Sequence, residues 1–182
     1  MKKLFVVFLV LAAFFAPASF AADSQKLPLP AEIKDSVPWF AVRELKNDNT
    51  PFTRTHLQRL VQKYDRVALV YFATWCVPCR AGLKQIVAHQ AELAQAKTGI
   101  VLVNVGEKEP SKVQSFLQKI SADKLPAITD PFGRMTEGFG LIKAGQNITL
   151  PKTIVVDKNL KVKILVGEEG DDYVELLKGN GL

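Results

Sequence analysis

The residues in this chain best suited to chemistry are its two cysteines, Cys76 and Cys79, held apart by Val77 and Pro78 in the stretch YFATWCVPCR, residues 71–80. Closely spaced cysteines serve as a structural disulfide, a metal clip, a haem attachment point or a working dithiol. Haem attachment needs a histidine directly after the second cysteine, and that residue is Arg80. Zinc needs about four ligands; there is no second cysteine pair, and His56 and His89 lack finger spacing. Neither a metal nor any other cofactor is expected. A bridge across two intervening residues closes a very small loop, and the entropic stabilisation from a disulfide grows with loop length. Reactivity therefore explains the spacing better than a staple does.

Such a dithiol has to be positioned, and the flanking residues say how. Arg66 to Phe72 (RVALVYF) is apolar on both faces, the pattern of a central strand covered on two sides. After the cysteines, Leu83, Ile86, Val87, Leu93 and Ala94 fall on one stripe of a single predicted helix, ended by Thr98-Gly99. The pair thus sits where a buried strand gives way to a helix. Unpaired backbone amides and the dipole at a helix start favour an anion there. Cys76 is accordingly expected as the nucleophile, with a pKa below the roughly 8.5 of a free thiol. Cys79, one turn in and more buried, is expected to resolve the mixed disulfide. Arg80 and Lys84, one turn apart, either add positive potential near Cys76 or form the wet face of the helix, and the latter is preferred. His56 and His89 are read as surface residues.

The remaining elements follow from periodicity. Trp39–Leu45, a turn at 47–50 and Pro51–Thr53 predict a strand, a turn and a second short strand; Thr55 then caps a short helix carrying Leu57, Leu60 and Val61. Ile100–Val105 is a second apolar strand. Pro110 opens a helix with Val113, Phe116, Leu117 and Ile120 at helical spacing. A short strand over Leu125–Asp130, a short helix within Gly133–Leu141, a hairpin of Thr153–Asp157 with Val162–Gly167, and a last helix over Asp171–Leu177 complete the pattern. The class is α/β, with a mixed central sheet flanked by helices on both faces.

The start of the chain bears on compartment. Lys2-Lys3, an apolar run from Leu4 to Ala16, and the small residues of Ser19–Ala21 resemble an export signal cleaved after Ala21. The run is short for a bilayer span of about 20 residues, so a retained membrane anchor is the lesser alternative. The expected organisation is a signal peptide over 1–21, an extended arm over 22–38 rich in Lys, Pro and Ser, and one domain over 39–182. The formal net charge of +6 falls to about +4 without the two leader lysines, and it is scattered, which gives no case for nucleic acid. Outside the cytosol a lone cysteine pair is oxidised by default.

The stretches FATWCVPCR, VNVGE (103–107), LPAITDPFGRMTEGFGL (125–141) and LPKTIVVDKNLKV (150–162) together resemble the TlpA/ResA-like branch of the thioredoxin superfamily. The similarity covers roughly Trp39 to Leu177. It implies a thioredoxin-like fold, export to the periplasm or another extracytoplasmic space, and reduction of disulfides in envelope proteins. It also implies a place in cytochrome c maturation, with apocytochrome c as one substrate, a membrane thiol-electron donor as the source of electrons, and a monomer. By position, Cys76 becomes the attacking thiol and Cys79 the resolving one. Trp75, Pro78, Leu150 and Pro151 become the substrate-facing residues, with Pro151 as a cis-proline. The resemblance departs at two places where relatives carry an acid to take the resolving thiol's proton: position 70 is valine and position 82 is glycine. Glu107, at the end of the neighbouring strand, is the remaining catalytic acid, against a solvated loop carboxylate as the plainer reading.

Direction depends on potential, and thioredoxin and DsbA differ by about 150 mV, roughly 7 kcal/mol for two electrons. Pro78 carries no amide hydrogen and no charge, so it cannot stabilise the reduced thiolate as a histidine there would. A reducing protein is expected. The alternatives are a redox-inactive binding or assembly module whose cysteines stay bridged, and a disulfide oxidase or isomerase. Peroxidase chemistry is disfavoured by Ala73, which stands where a peroxiredoxin motif places threonine.

Overall fold

The computed structural model describes residues 22–31, 42–45 and 54–180. The expected signal segment, residues 32–41 of the arm and first strand, and the turn and strand expected over 47–53 lie outside the described residues. Among the described residues eight strands form one mixed sheet: β1 (Lys26–Leu27), β2 (Val42–Leu45), β3 (Arg54–Thr55), β4 (Arg66–Phe72), β5 (Thr98–Val105), β6 (Ala127–Asp130), β7 (Lys152–Asp157) and β8 (Val162–Val166). Their order across the sheet is β1-β8-β7-β4-β5-β6-β2-β3. Among the described residues there are also six helices: α1 (Leu57–Val61), α2 (Val77–Ala88), α3 (Gln90–Gln95), α4 (Pro110–Lys119), α5 (Arg134–Gly138) and α6 (Tyr173–Lys178).

The two-sided apolar pattern of β4 is explained by its place at the centre, parallel to β5 and antiparallel to β7. Successive side chains of a strand point to opposite faces. Ala68, Val70 and Phe72 pack into a core shared with α2, α3, α4 and α6, and Val67, Leu69 and Tyr71 into one shared with α1 and α5. This is the thioredoxin-like arrangement of a mixed sheet between helical layers.

Four local expectations are corrected. The helix after the cysteines breaks at His89, which ends α2 and precedes α3, and Ala94 of the expected stripe is exposed. Thr98-Gly99 opens β5 instead of ending the helix, and the left-handed turn is made by Lys97 at φ 51°. Gly99 has another use: a Cβ there would run into the ring of Tyr64. At α1 the first-turn amide of Arg59 donates to His56 Nδ1 at 3.3 Å, so His56 acts one residue after the expected cap at Thr55. Finally, the described start of the arm joins the sheet, with Lys26 and Leu27 paired antiparallel to Val166 and Leu165 of β8.

Candidate functional site

At the C-terminal end of β4 the chain turns through Ala73, Thr74 and Trp75 into the cysteines. The Cys76 amide donates to Ala73 O at 3.1 Å, closing the turn. Cys76 is the N-cap of α2 and Pro78 sits in its first turn, where a missing amide hydrogen costs nothing. The cysteines are joined as a disulfide. The Cys79 amide donates to Cys76 Sγ at 3.2 Å, so the helix start already directs a backbone donor at the sulfur expected to carry charge once the bridge opens. Cys76 is 3% exposed and Cys79 1%, so both sulfurs are buried while bridged.

Glu107 is brought beside this turn. It follows Gly106, whose φ of +84° lets the chain swing back after β5. The Glu107 carboxylate is buried and accepts from the amide of Thr74 at 2.7 Å, from the Thr74 hydroxyl at 2.6 Å and from Asn104 Nδ2 at 2.5 Å. These contacts fix the backbone two residues ahead of Cys76.

The residues expected to face substrate lie along the same edge. The Leu150–Pro151 bond is cis, and Pro151 leads into β7 beside the end of β4, where Tyr71 pairs with Lys152. Trp75 is 64% exposed, and Val77 and Phe132 also present large apolar surfaces to solvent. Trp75 and Phe132 border a cleft of about 490 Å³ whose walls include Gly106, Asp130, Thr136 and Ile148. On the other side, Arg80 lies 5.6 Å from the centroid of the Phe116 ring. Arg80, Lys84, Lys112 and Lys119 line a second, basic groove of about 580 Å³. His89 is paired with Glu92 at 2.7 Å on the surface.

Two residues near the site escaped sequence reasoning. Phe132 lies in a loop whose apolar residue has no periodic context. Glu169 lies in the acidic run EEGDD (168–172), which reads as a wet turn, yet its carboxylate is buried and its pKa is pushed up to about 8 by loss of solvent. The available signal was Gly82, a glycine on the buried face of an otherwise well-formed helix.

Among the described residues no group of three or more His, Cys, Asp or Glu side chains could hold a metal ion, and no helix is long and apolar enough to cross a membrane. The fold is shared with a secreted thiol-disulfide isomerase from Corynebacterium glutamicum, at TM-score 0.66 and 20% identity over 91% of this chain and 93% of that one. It is shared equally with the thioredoxin domain of a thiol-disulfide oxidoreductase from Bacteroides vulgatus, at TM-score 0.64 and 13% identity over 81% and 96% of the two chains. Peroxidoxin BcpB from Mycobacterium tuberculosis matches at TM-score 0.64 and 18% identity over 81% and 94%. At such identities these likenesses establish the thioredoxin-like fold. The model of the AhpC/TSA family matches residues 33–164, most of the sequence, and the chain belongs to that family.

Proposed function

We propose that the protein is an exported thiol-disulfide oxidoreductase of the TlpA/ResA-like type, a monomer that reduces disulfides of envelope proteins through Cys76 and Cys79. In this reading apocytochrome c is one substrate, and a membrane thiol-electron donor returns the disulfide to the dithiol. The observation that carries the reading is the Cys79 amide aimed at Cys76 Sγ at the N-cap of α2. A thiolate at that position is stabilised by the amide and by the dipole of a twelve-residue helix.

The chemistry runs in two exchanges. The Cys76 thiolate attacks one sulfur of the substrate disulfide, a Cys76–substrate bond forms, and the other substrate sulfur leaves as a thiolate. Cys79, having lost its proton, attacks Cys76 Sγ; the internal disulfide forms and the second substrate thiolate departs. Two electrons pass from the protein to the substrate, whose thiolates take up protons from solvent. Glu107 supports this by holding Thr74. Trp75 and Val77 offer exposed apolar surface near the cis Leu150–Pro151 bond, which suits an extended polypeptide. The export assignment is supported by the composition of residues 1–21.

Insulin reduction with a chemical reductant supplied tests the reading. Wild type is expected to accelerate it and Cys76→Ser to abolish the acceleration, with a reduction potential near that of thioredoxin. Equal rates for the two proteins would leave a bridged binding module, and a potential near that of DsbA would make the protein an oxidase. The likeness to a peroxidoxin does not favour a peroxidase reading, because Ala73 offers no hydroxyl to a peroxide.

A further inference from the structure

The two-exchange scheme leaves one proton unassigned, that of the Cys79 thiol, and one buried acid unused. Glu169 lies in the loop joining β8 to α6. Both of its carboxylate oxygens are buried without a hydrogen-bond partner of ordinary geometry. Burying an ionisable group in this way is unfavourable and calls for an explanation. The explanation lies across the helix interface: a Cβ built on Gly82 would collide with the Glu169 carboxylate, which therefore fills the space a side chain at position 82 would take.

Cys79 and Gly82 share the buried face of α2. Residues three apart on a helix are neighbours, with Cβ atoms about 5–6 Å from each other. A carboxylate seated at Gly82 is thus one helical step from Cys79, on the protein side of the disulfide. We propose that Glu169, delivered from the β8–α6 loop into the space left by Gly82, accepts the Cys79 proton when the mixed disulfide is resolved. The inference rests on the dithiol reading above and assigns it a base from a part of the chain remote from both positions where an acid is missing, Val70 and Gly82.

The surroundings are built to hold this side chain. The backbone on either side of it is clamped by the start of the chain: the Gln25 amide donates to Glu168 O at 2.9 Å, the Gly170 amide to Ser24 Oγ at 2.8 Å and the Asp171 amide to Ala22 O at 2.8 Å. Gln85 Nε2 of α2 donates to Gly170 O at 3.3 Å. Beside the carboxylate, the Tyr173 hydroxyl is bonded to Thr153 Oγ1 at 2.8 Å, and Thr153 is the β7 partner of Val70. The polar group absent from position 70 is thus replaced by a Thr153–Tyr173 pair next to an acid from another segment.

Loss of solvent raises the Glu169 pKa to about 8, against the smaller opposing influence of the Tyr173 hydroxyl and the Gly82 amide. A free thiol titrates near 8.5, and a proton passes most readily between groups so matched. The titratable group set against Glu169 is Tyr173 of α6, itself held neutral by burial, while Cys79 shares the buried face of α2 with Gly82, one helical step away. Glu168, Asp171 and Asp172 flank it in the chain; Lys152 of β7 feels Glu168, and Lys26 of β1 feels Asp172. The balance is simple. The Cys79 S–H bond breaks, its proton goes to the Glu169 carboxylate directly or through one water, and the Cys79 thiolate attacks Cys76 Sγ. The substrate leaves as a thiolate, and the proton on Glu169 later passes to solvent.

The test separates the two exchanges. The reduced protein is loaded at Cys76 with a chromophoric aromatic thiol, and release of that thiol by Cys79 is followed from pH 6 to 9.5. Wild type is expected to show release rising through about pH 8. Glu169→Gln is expected to slow release about 100-fold near neutrality and to lose that limb, while alkylation of Cys76 by iodoacetamide stays within two-fold. Gly82→Ala keeps the acid but displaces it, and is expected to copy the slow release with no loss of thermal stability. Release from both variants at the wild-type rate and pH profile would overturn the assignment to Glu169. Failure of Cys76 to form the adduct in wild type would instead overturn the dithiol reading.

Discussion

The carboxylate of Glu107 accepts from both the amide and the hydroxyl of Thr74, at 2.7 and 2.6 Å, and so ties the end of β5 to the turn that carries Cys76. This contact holds the turn before the helix by hydrogen bonds separate from the disulfide. Glu107→Ala would leave these two donors and Asn104 Nδ2 without an acceptor, at a cost of about 1–3 kcal/mol. Glu107→Gln is expected to be mild, because Asn104 Oδ1 is unpaired and a turned Asn104 amide could accept from the new side chain. Urea midpoints of the two variants check the difference. A Gln variant as unstable as the Ala variant would show that charge, not hydrogen bonding, holds the turn.

Stability of the oxidised protein should fall with rising pH on account of Glu169. Burial moves its carboxyl from the ordinary 4.5 to about 8. Between those values the folded protein keeps a proton that the unfolded chain has released, and stability declines wherever the folded state binds more protons. The contribution is intact below about pH 4.5 and lost as pH rises through about 8. Glu169→Gln removes the dependence, with a gain over wild type at pH 8.5 of roughly 5 kcal/mol at most. Urea unfolding at pH 4.5, 6.5 and 8.5 reads this directly. A gap between the two proteins that does not widen with pH would contradict the burial of an unpaired carboxylate.

The dipeptide between the cysteines should set the potential. Pro78 lies exposed in the first turn of α2, where a histidine could replace it without backbone strain. Pro78→His adds a donor and a charge beside the Cys76 sulfur, favouring the reduced form. A rise of at least about 30 mV, equivalent to about 1.4 kcal/mol, is expected in equilibrium with glutathione. An unchanged potential would locate the control elsewhere in the site.

Trp75 should matter to substrate and little to folding. Its ring is 64% exposed at the border of the cleft with Phe132, which is 79% exposed. Trp75→Ala is expected to raise KM for a polypeptide disulfide several-fold, to leave the reaction with a small disulfide unchanged, and to alter stability by no more than about 0.5 kcal/mol. Comparable losses with both substrates would point to a role for Trp75 in the thiol chemistry itself.

Much of this architecture is legible in the sequence because it rests on periodicity. The stretch RVALVYF, apolar on both faces, reads as a central strand, and the cysteines follow it where the next helix starts. The break at His89 and the strand start at Thr98 were hidden because the signals there are reversed: a lysine takes the left-handed turn, and a glycine serves close packing against Tyr64. Glu169 was hidden for a different reason. A charge within an acidic run looks solvated, and only the folded sheet reveals that Gly82 stands opposite. An acid missing from its familiar position is visible along the chain; its replacement from a segment more than eighty residues away is not.

The pairing of β1 with β8 and the clamp of Ala22–Gln25 on residues 168–171 join the two ends of the described domain. A chain threaded through a membrane from its N-terminus cannot make this closure until nearly all of it has crossed. In the proposed export route, Cys76 and Cys79 would until then be two bare thiols on an unfinished surface, open to any oxidant or mispairing partner in the receiving compartment. Timing of translocation, as much as potential, would then govern which disulfide this protein first acquires.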